Sequence, residues 1–355
     1  MFKISGFFLA AALFLVGCGA PKPPPGDWTA TPPPAVVGKP VGTVPIPEKT
    51  NAPIAPPAAA PVMTYTALAG WAARHQVAPP HRISDSPVAS YSIFSTNGTL
   101  IFEIGTVAAT WNGIEFNLGF DPQIVDGEVF VHGLDLQKNF EPLLCGPPLS
   151  FPRTNRVIVI DPGHGGNNPG TVSILDGRME KEFTLDWAMA LKPLLESNGW
   201  TVLLTRTADT LVTNADRVVF ADQHHANAFI SLHFNSTGNR DPHTTGIETY
   251  CLTPEGMAST LTRGYSDPRF ADLPGNEYDE QNLQLAMRVQ AALVHGVGAT
   301  DRGVNRARFM TVLQAQHCPA ILVEGGYLSN PRDAKQIENP DYRQKLAEAV
   351  ASALK

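Results

Sequence analysis

Positive charge and cysteine are both scarce in this sequence. Its 355 residues include 26 lysines and arginines against 33 aspartates and glutamates, and the formal net charge is −7. Because phosphate groups are bound by basic patches, this balance argues against nucleic acid as a partner. The four cysteines are too few to form the disulfide framework that holds small secreted domains together. The length leaves room for one large domain or for two.

Long hydrophobic runs are also scarce. The apolar run near the N terminus covers residues 7–16, which is too short to span a bilayer as a permanent helix. Lys3 precedes this run, and Leu15-Val16-Gly17-Cys18 ends it. This pattern predicts an export signal over residues 1–20. The last four residues resemble the lipobox of bacterial lipoproteins, which implies lipidation of Cys18; a plain secretory signal with a chance cysteine is the alternative.

The residue after the predicted lipidation site is Gly19. In enterobacterial lipoproteins an aspartate at this position is associated with retention in the inner membrane. Glycine therefore favours the outer membrane in a cell that has two. We expect a protein of the cell envelope, on the periplasmic side, that is attached to a membrane through the lipid on Cys18.

A proline-rich segment follows the signal. Proline accounts for 14 of the 41 residues from 21 to 61, and the others are mostly small. Such a composition builds neither helix nor sheet, so residues 21–63 are expected to form a disordered tether. At roughly 3.1 Å per residue, the tether could extend on the order of 100 Å.

Residues 64–150 are expected to form a small β-rich module that ends in a linker. A helix is predicted over residues 64–75. The dipeptides Asn97-Gly98, Asn112-Gly113 and Asp126-Gly127 indicate hairpin turns. They separate five predicted strands, at 91–94, 100–104, 107–111, 114–118 and 129–131. The module weakly resembles the copper-amine-oxidase N-terminal-like modules that accompany cell-wall amidases. It is expected either to bind or position the wall or to pack on the enzyme.

Residues 151–355 alternate between apolar strands and amphipathic helices. Strands are predicted at 157–160, 200–205, 228–235, 247–252, 308–314 and 320–324. This alternation favours an α/β fold, with a mostly parallel or mixed sheet covered by helices on both faces, of the phosphorylase/hydrolase-like kind. The glycine-rich loop after the first strand lacks a following Gly-Lys-Ser/Thr, so phosphate binding there is only weakly supported.

Polar residues follow or close three of these strands. His164 comes after the first strand, His233 and Glu324 end two others, and Glu180 opens a helix. Ligands of open α/β sheets bind at the carboxyl ends of strands. Two histidines and a carboxylate, with a fourth position open to water, are the ligand set of a catalytic zinc, and a second carboxylate can act as general base and acid. Spacing alone leaves open that the four residues are unrelated.

Six segments resemble, in order, the pattern of the zinc-dependent N-acetylmuramoyl-L-alanine amidases, the Amidase_3 family. These are IDPGHGG, GRMEKE, SLHFNS, GIETY, RGV and VEGGYLSN, within residues 156–355. The resemblance implies that His164, Glu180 and His233 hold zinc and that Glu324 is catalytic. It also implies hydrolysis of the amide bond between N-acetylmuramic acid and L-alanine of peptidoglycan, in which zinc activates water and Glu324 transfers the proton to the leaving amine.

Further expectations concern the substrate and the loops. Asn235 and Arg302 are candidates for contacting substrate, although either could be structural. The polar loop 253–281 lies where some family members carry a helical insert that blocks the zinc until a partner removes it. Its prolines and glycines argue against such a helix and favour a lid or a substrate-side loop. An activator protein is a candidate partner.

The remaining cysteines leave two readings open. Once Cys18 is set aside, Cys145, Cys251 and Cys318 allow at most one internal disulfide, and buried free thiols are as plausible. Two rival functions also stay open. One is a zinc peptidase that cuts within the wall peptide, and the other is a non-catalytic wall-binding lipoprotein.

Overall fold

The computed structural model describes residues 64–238 and 241–355. The predicted export signal, the predicted lipidation site Cys18 and the predicted tether lie outside the described residues. In the described part of the chain, no helix combines the length and the apolar character needed to cross a membrane.

The N-terminal part of the described chain consists mainly of short strands. Two-residue turns at Asn112-Gly113 and Asp126-Gly127 have positive φ at both positions, as hairpins with such turns require. The elements are β1 (Tyr65–Ala67), α1 (Leu68–His75), β2 (His81–Ser84), β3 (Ser90–Ser95), β4 (Gly98–Glu103), β5 (Ala108–Trp111), β6 (Ile114–Asn117), β7 (Gln123–Val125), β8 (Glu128–His132), α2 (Gly133–Asp135) and a π-helix (Leu136–Cys145).

The second part alternates strands and helices. Its elements are β9 (Val157–Pro162), α3 (Glu180–Ser197), β10 (Thr201–Leu204), α4 (Asn214–Gln223), β11 (Ala228–Asn235), β12 (Ile247–Cys251), a 3₁₀ helix (Pro274–Tyr278), α5 (Asp279–Val297), β13 (Asp301–Arg306), α6 (Thr311–Gln314), β14 (Ala320–Tyr327), α7 (Pro331–Glu338) and α8 (Pro340–Ala353). Thr213 caps α4, because its side chain accepts the backbone N–H of Asp216 at 3.1 Å.

One eleven-stranded sheet joins the two parts. Its strand order is β10-β9-β11-β14-β12-β13-β6-β5-β4-β3-β2, and β1, β8 and β7 form a separate three-stranded sheet. The neighbours from β10 to β14 are parallel, β12 runs antiparallel to β14, and β13 is parallel to both β12 and β6. The mixed α/β sheet preceded by a β-rich segment confirms the predicted fold class.

Helices cover both faces of the central strands. Ile158 and Ile160 of β9 belong to one core, and Val159 between them belongs to another. The first core includes Phe183 of α3 and Leu346 of α8. The second contains residues of α4 and α6, namely Ala221, Val312 and Leu313. Because successive residues of a strand point to opposite faces, a strand buried on both sides is apolar throughout, as β9 is.

Several predicted elements were wrong in detail. Residues 65–67 form β1, so the predicted helix over 64–75 begins only at Leu68. The strand predicted at 308–314 is absent; the strand is β13, and residues 311–314 form α6. The sequence of β13, DRGVNR, is polar, so no apolar pattern marked it as a strand. Pairing with β12 and β6 stabilises it. Cys145, Cys251 and Cys318 are free thiols.

Candidate metal centre

The carboxyl ends of three adjacent strands bring predicted site residues to one edge of the sheet. β9, β11 and β14 are parallel neighbours. His233 of β11 is paired in register with Glu324 of β14, and His164 lies two residues beyond β9. The topology, rather than proximity in sequence, therefore places the three residues together.

Glu180, the first residue of α3, lies between the two histidines. Its Oε2 is 3.1 Å from His164 Nε2, and its Oε1 is 2.9 Å from His233 Nδ1. The two imidazole rings have their centroids 4.8 Å apart and are nearly perpendicular, at 80°. Two imidazoles and a carboxylate from three separate segments thus share one small volume.

Glycines in the loop after β9 make room for this cluster. A Cβ on Gly163 would lie 2.3 Å from His233 Cε1, and a Cβ on Gly170 would lie 2.5 Å from Glu180 Oε2. His164 itself has φ of +62°, an uncommon conformation for a residue with a side chain. Its carbonyl oxygen accepts a hydrogen bond from Arg217 Nη2 at 2.9 Å. The composition of this loop is therefore set by the space and the backbone geometry around the cluster.

Two buried arginines fix the same loop, and sequence reasoning missed both. Arg206 donates to the carbonyl oxygens of Pro162 and Gly163, at 2.9 and 2.8 Å. Arg217 pairs with Asp161, which ends the apolar run of β9 and is 1% exposed. A carboxylate in a strand buried on both faces needs a partner of opposite charge. Asp161 at the end of the apolar run could therefore have predicted a buried cation.

The charge of Glu180 is stabilised from several sides. Burial alone would raise the pKa of this carboxyl, but hydrogen bonds from His164 and His233 outweigh burial and hold its pKa well below the ordinary value. The backbone N–H groups of Thr171 and Phe234 donate to it as well, at 2.9 and 3.1 Å. In return, Glu180 raises the pKa of His164 in spite of the burial of that ring. Glu180 is therefore ionised, as a metal ligand must be.

The donor set fits a metal ion. One ligand atom from each of His164, Glu180 and His233 can be chosen so that all three lie within 4.8 Å of one another. Two imidazole nitrogens and one carboxylate oxygen suit a transition metal such as zinc better than calcium or magnesium, which prefer oxygen ligands throughout. Asn168 Oδ1 lies 3.0 Å from His164 Nδ1, so the other nitrogen of that ring has the outer partner that ligating histidines usually have.

The carboxyl of Glu324 lies in different surroundings from that of Glu180. Its side chain is buried, and its Oε2 has no hydrogen-bond partner among residues 64–238 and 241–355. Burial raises the pKa of this carboxyl well above the ordinary value, and the negative charges of Glu180 and Glu248 raise it further, whereas Arg263 lowers it. The pKa values of Glu180 and Glu324 are thus shifted in opposite directions, which is typical of acid–base sites.

Of the two predicted substrate contacts, the structure brings one to the cleft. Asn235 lines it, donates to Glu248 Oε1 at 2.5 Å, and accepts from Arg263 Nη2 at 2.9 Å. Arg302 does not line this cleft; its guanidinium lies 5.1 Å from the centroid of the Tyr327 ring. Tyr327 donates to Glu248 at 2.7 Å, so Arg302 borders a network that reaches Asn235.

The cleft around these groups has a volume of about 470 Å³. Besides the predicted residues, its lining includes Arg263 and Tyr265 from the loop between β12 and α5, and Phe309 from the segment after β13. Sequence reasoning placed this loop near the site but singled out neither side chain, because the path of a long loop carries no periodic signal. The cleft is large enough for part of a peptide.

A family model described as N-acetylmuramoyl-L-alanine amidase, Amidase_3, matches residues 158–355. The chain is similar to the N-acetylmuramoyl-L-alanine amidase LytC of Bacillus subtilis, with 30% identity over 202 residues, 57% of this chain and 35% of that protein. It is similar to a sporulation-specific N-acetylmuramoyl-L-alanine amidase of the same organism, with 32% identity over 199 residues, 56% of this chain and 66% of that protein.

A crystal structure of an N-acetylmuramoyl-L-alanine amidase from Clostridium difficile 630 matches with 30% identity and a TM-score of 0.47, over 56% of this chain and 94% of that one. The chain thus spans about one third to two thirds of the length of the two curated relatives.

Proposed function

This chain belongs to the Amidase_3 family of N-acetylmuramoyl-L-alanine amidases, and on that premise we propose that it is a metal-dependent peptidoglycan hydrolase. The bond that it cleaves joins the lactyl group of N-acetylmuramic acid to the L-alanine of the stem peptide. The observation that carries this proposal is the meeting of His164, Glu180 and His233 beside the buried carboxyl of Glu324.

We propose that the metal is zinc and that His164, Glu180 and His233 hold it. A zinc ion supplies Lewis-acid polarisation of a carbonyl and lowers the pKa of a water molecule to about 7. Glu180 contributes a carboxylate that is already ionised, and the glycines of the loop leave space around the ligand atoms. The chain therefore supplies ligands that need little rearrangement.

Glu324 moves the proton in this mechanism. As general base it accepts a proton from the attacking water, and as general acid it passes that proton to the amine of L-alanine that leaves. Its burial beside Glu180 and Glu248 favours the protonated form, which suits the second step. Arg263 favours the ionised form, which suits the first. A carboxyl whose pKa is subject to these opposing influences can act first as a general base and then as a general acid.

Asn235 is proposed to contact the substrate from the wall of the cleft, where it is held by Glu248 and Arg263. The same role for Arg302 stays a prediction from the sequence. Alanine substitution of either residue, followed by separate measurement of KM and kcat, tests them. A role in contacting the substrate predicts a raised KM for the uncleaved muramoyl peptide.

We also propose that the protein acts in the cell envelope, on the periplasmic side, with a lipid on Cys18 attaching it to the outer membrane. The support is the lipobox-like sequence, the residue Gly19 and the proline-rich segment 21–63. Replacing Cys18 with serine should move the protein from the membrane fraction to the soluble fraction. If the substituted protein stays in the membrane fraction, the anchor is elsewhere.

The activity is tested by mass spectrometry of the products from purified peptidoglycan. Intact stem peptides that begin with L-alanine are expected, together with glycan strands that have lost their peptides. Shortened stem peptides would instead identify a peptidase. If no product forms, the protein is a wall-binding protein without catalytic activity.

The matched comparison for Glu324 uses another glutamate. Glu324→Gln should lower kcat roughly 10²–10⁴-fold, the range of general acid–base catalysis, with the bound metal retained. Glu255→Gln changes an exposed glutamate of the same charge and should leave the rate unchanged. Equal rates for the two variants would remove Glu324 from the mechanism.

A further inference from the structure

The loop between β12 and α5, residues 252–278, is fixed by buried polar contacts. Arg308, which is 1% exposed, donates to Asp267 Oδ1 at 3.0 Å and to the carbonyl oxygen of Met257 at 2.9 Å. Asp267 also accepts the backbone N–H of Ser259 at 2.9 Å. These contacts hold both limbs of the loop to one buried guanidinium, so the residues at its tip have a defined position.

The tip of this loop contributes two side chains to the catalytic cleft. Arg263 and Tyr265 line the same cavity as His233 and Glu324. Arg263 has φ of +48°, a conformation that residues with side chains rarely adopt and that is concentrated at functional sites. Tyr265 is 64% exposed and stacks on Phe309, with ring centroids 5.3 Å apart. An exposed aromatic face and a guanidinium thus stand together at the wall of the cleft.

The two arginines that line the cleft differ in how many of their N–H donors are already hydrogen-bonded within the protein. Arg217 is 3% exposed and donates to Asp161 and to the carbonyl oxygens of three further residues, Pro162, His164 and Val212. Arg263 is exposed; it donates a hydrogen bond to Asn235 Oδ1 at 2.9 Å and has the Tyr250 hydroxyl as a further hydrogen-bond partner. Because a guanidinium has five N–H donors, most of those on Arg263 remain for a ligand.

The substrate offers negative charge only on its peptide side. The lactyl carboxyl of muramic acid is consumed in the amide bond, so the glycan around that bond is neutral. The stem peptide carries free carboxylates, the first of them on the D-glutamate that follows L-alanine. Guanidinium groups bind carboxylates in a paired, fork-like geometry, which a sugar hydroxyl does not match.

We propose that Arg263, with the stacked Tyr265 and Phe309 beside it, forms a subsite for the carboxylate of the stem peptide beyond L-alanine. This inference rests on the proposed amidase function and adds a specificity to it. The enzyme then distinguishes stem peptides with a free carboxylate on D-glutamate from those in which the carboxylate is amidated. The aromatic pair supplies an apolar wall for the peptide backbone next to that group.

The test uses two muramoyl peptides that differ only in whether the D-glutamate carboxylate is free or amidated. The purified protein should cleave the free form with a kcat/KM about tenfold higher, because one charge-assisted hydrogen-bond pair is lost in the amide. Arg263→Gln should remove this difference, so that kcat/KM for the free form falls about tenfold further than kcat/KM for the amidated form. Arg263→Lys keeps the charge but not the fork-like pair of donors. Its selectivity for the free form should lie between that of the unmodified protein and that of Arg263→Gln.

The control is Arg269→Gln, which removes an exposed arginine of the same loop that does not line the cleft; its selectivity should equal that of the unmodified protein. An equal loss of kcat/KM on both peptides in Arg263→Gln, with the selectivity retained, would overturn the subsite and make Arg263 a residue that acts only through Asn235 and Glu324. Equal cleavage of the two peptides by the unmodified protein would overturn it as well.

Calorimetric binding to Glu324→Gln separates this inference from the function on which it rests. The free peptide should bind that variant about tenfold more tightly than the amidated peptide, and adding Arg263→Gln should abolish the difference. Should the unmodified protein cleave neither peptide, the amidase proposal fails, whereas selective binding still supports the subsite. Equal binding of both peptides overturns the subsite whether or not they are cleaved.

Discussion

At the scale of single residues, the histidines of the described chain differ in what surrounds them. His164 and His233 each contact the buried carboxylate of Glu180. His224 and His225 follow the last residue of α4, Gln223, and are exposed. Type of residue alone therefore does not identify a candidate ligand, whereas two imidazoles that share one buried carboxylate do.

Replacing His233 with alanine should remove tight metal binding. The affinity should fall by more than the roughly 10–100-fold that follows loss of an outer hydrogen-bond partner, because a direct ligand is lost. Elemental analysis of the purified variant, together with titration of zinc into chelator-treated protein, measures this. His224→Ala should keep one zinc per chain. Retention of stoichiometric zinc in His233→Ala would contradict the proposed ligand set.

At the scale of elements, the apolar strands were predictable and the polar ones were not. β9, β11 and β14 are buried on both faces, so their sequences are nearly uninterrupted apolar runs, and His233 and Glu324 could be placed on them. β13 has no such run, and its strand form depends on its neighbours. The placement of Arg263 depends on contacts of Arg308 with distant carbonyl groups, which leave no periodic signal.

The loop after β9 gives a test at the same scale. Gly163→Ala places a Cβ 2.3 Å from the ring of His233, so that either the loop or the imidazole must shift. We expect lower zinc affinity and lower activity in a protein whose circular dichroism is unchanged.

A second glycine provides the control for this substitution. Gly70 lies within α1, and the nearest atom to its added Cβ is 3.6 Å away. Gly70→Ala should therefore stabilise the protein by roughly 0.5–1 kcal/mol, because alanine favours the helix, and it should leave zinc binding unchanged. Normal zinc binding by Gly163→Ala would show that the close packing is not required.

At the scale of the whole molecule, polar contacts join the N-terminal strands to the second half of the chain. The backbone N–H of Glu115 donates to Asp301 Oδ2 at 2.9 Å, across 186 residues of sequence. Arg306, which is 4% exposed, donates to Asn139 Oδ1 at 2.8 Å, and Asn139 donates to Asp135 at 2.7 Å. The contacts among Arg306, Asn139 and Asp135 bury charged and polar groups where the two parts meet.

Residues 64–355 should therefore unfold in a single transition. The sequence favours a division into modules 64–150 and 151–355, and that division stays a prediction. Shared strand pairing between β6 and β13, together with the buried polar junction, is expected to make the two parts cooperative. Differential scanning calorimetry measures the number of unfolding transitions. Two separable transitions would contradict a cooperative unit.

The junction should also make stability depend on pH. Burial raises the pKa of Asp135 from the ordinary 3.8 to about 6, although hydrogen bonds from Gly119, Asn139 and Phe120 oppose the shift. The folded protein therefore binds a proton more readily than the unfolded chain, so this residue destabilises the fold above pH 6, and stability is gained as the pH falls towards 4.

Asp135→Asn isolates this contribution from those of other titrating groups. The free energy of unfolding of the unmodified protein, minus that of the variant, should rise by up to about 3 kcal/mol between pH 7 and pH 4. Urea denaturation at both pH values measures the difference. A difference that is constant, or that rises with pH, would contradict the shifted pKa.

The pairing of β6 with β13 has a consequence for the kinetics of folding. An eleven-stranded sheet whose middle joins segments so far apart in sequence can close only after nearly the whole chain has been synthesised. Contacts of such long sequence separation slow folding. Refolding from denaturant should accordingly be slow, and until β13 arrives the open edge of β6 is exposed to pairing with other chains.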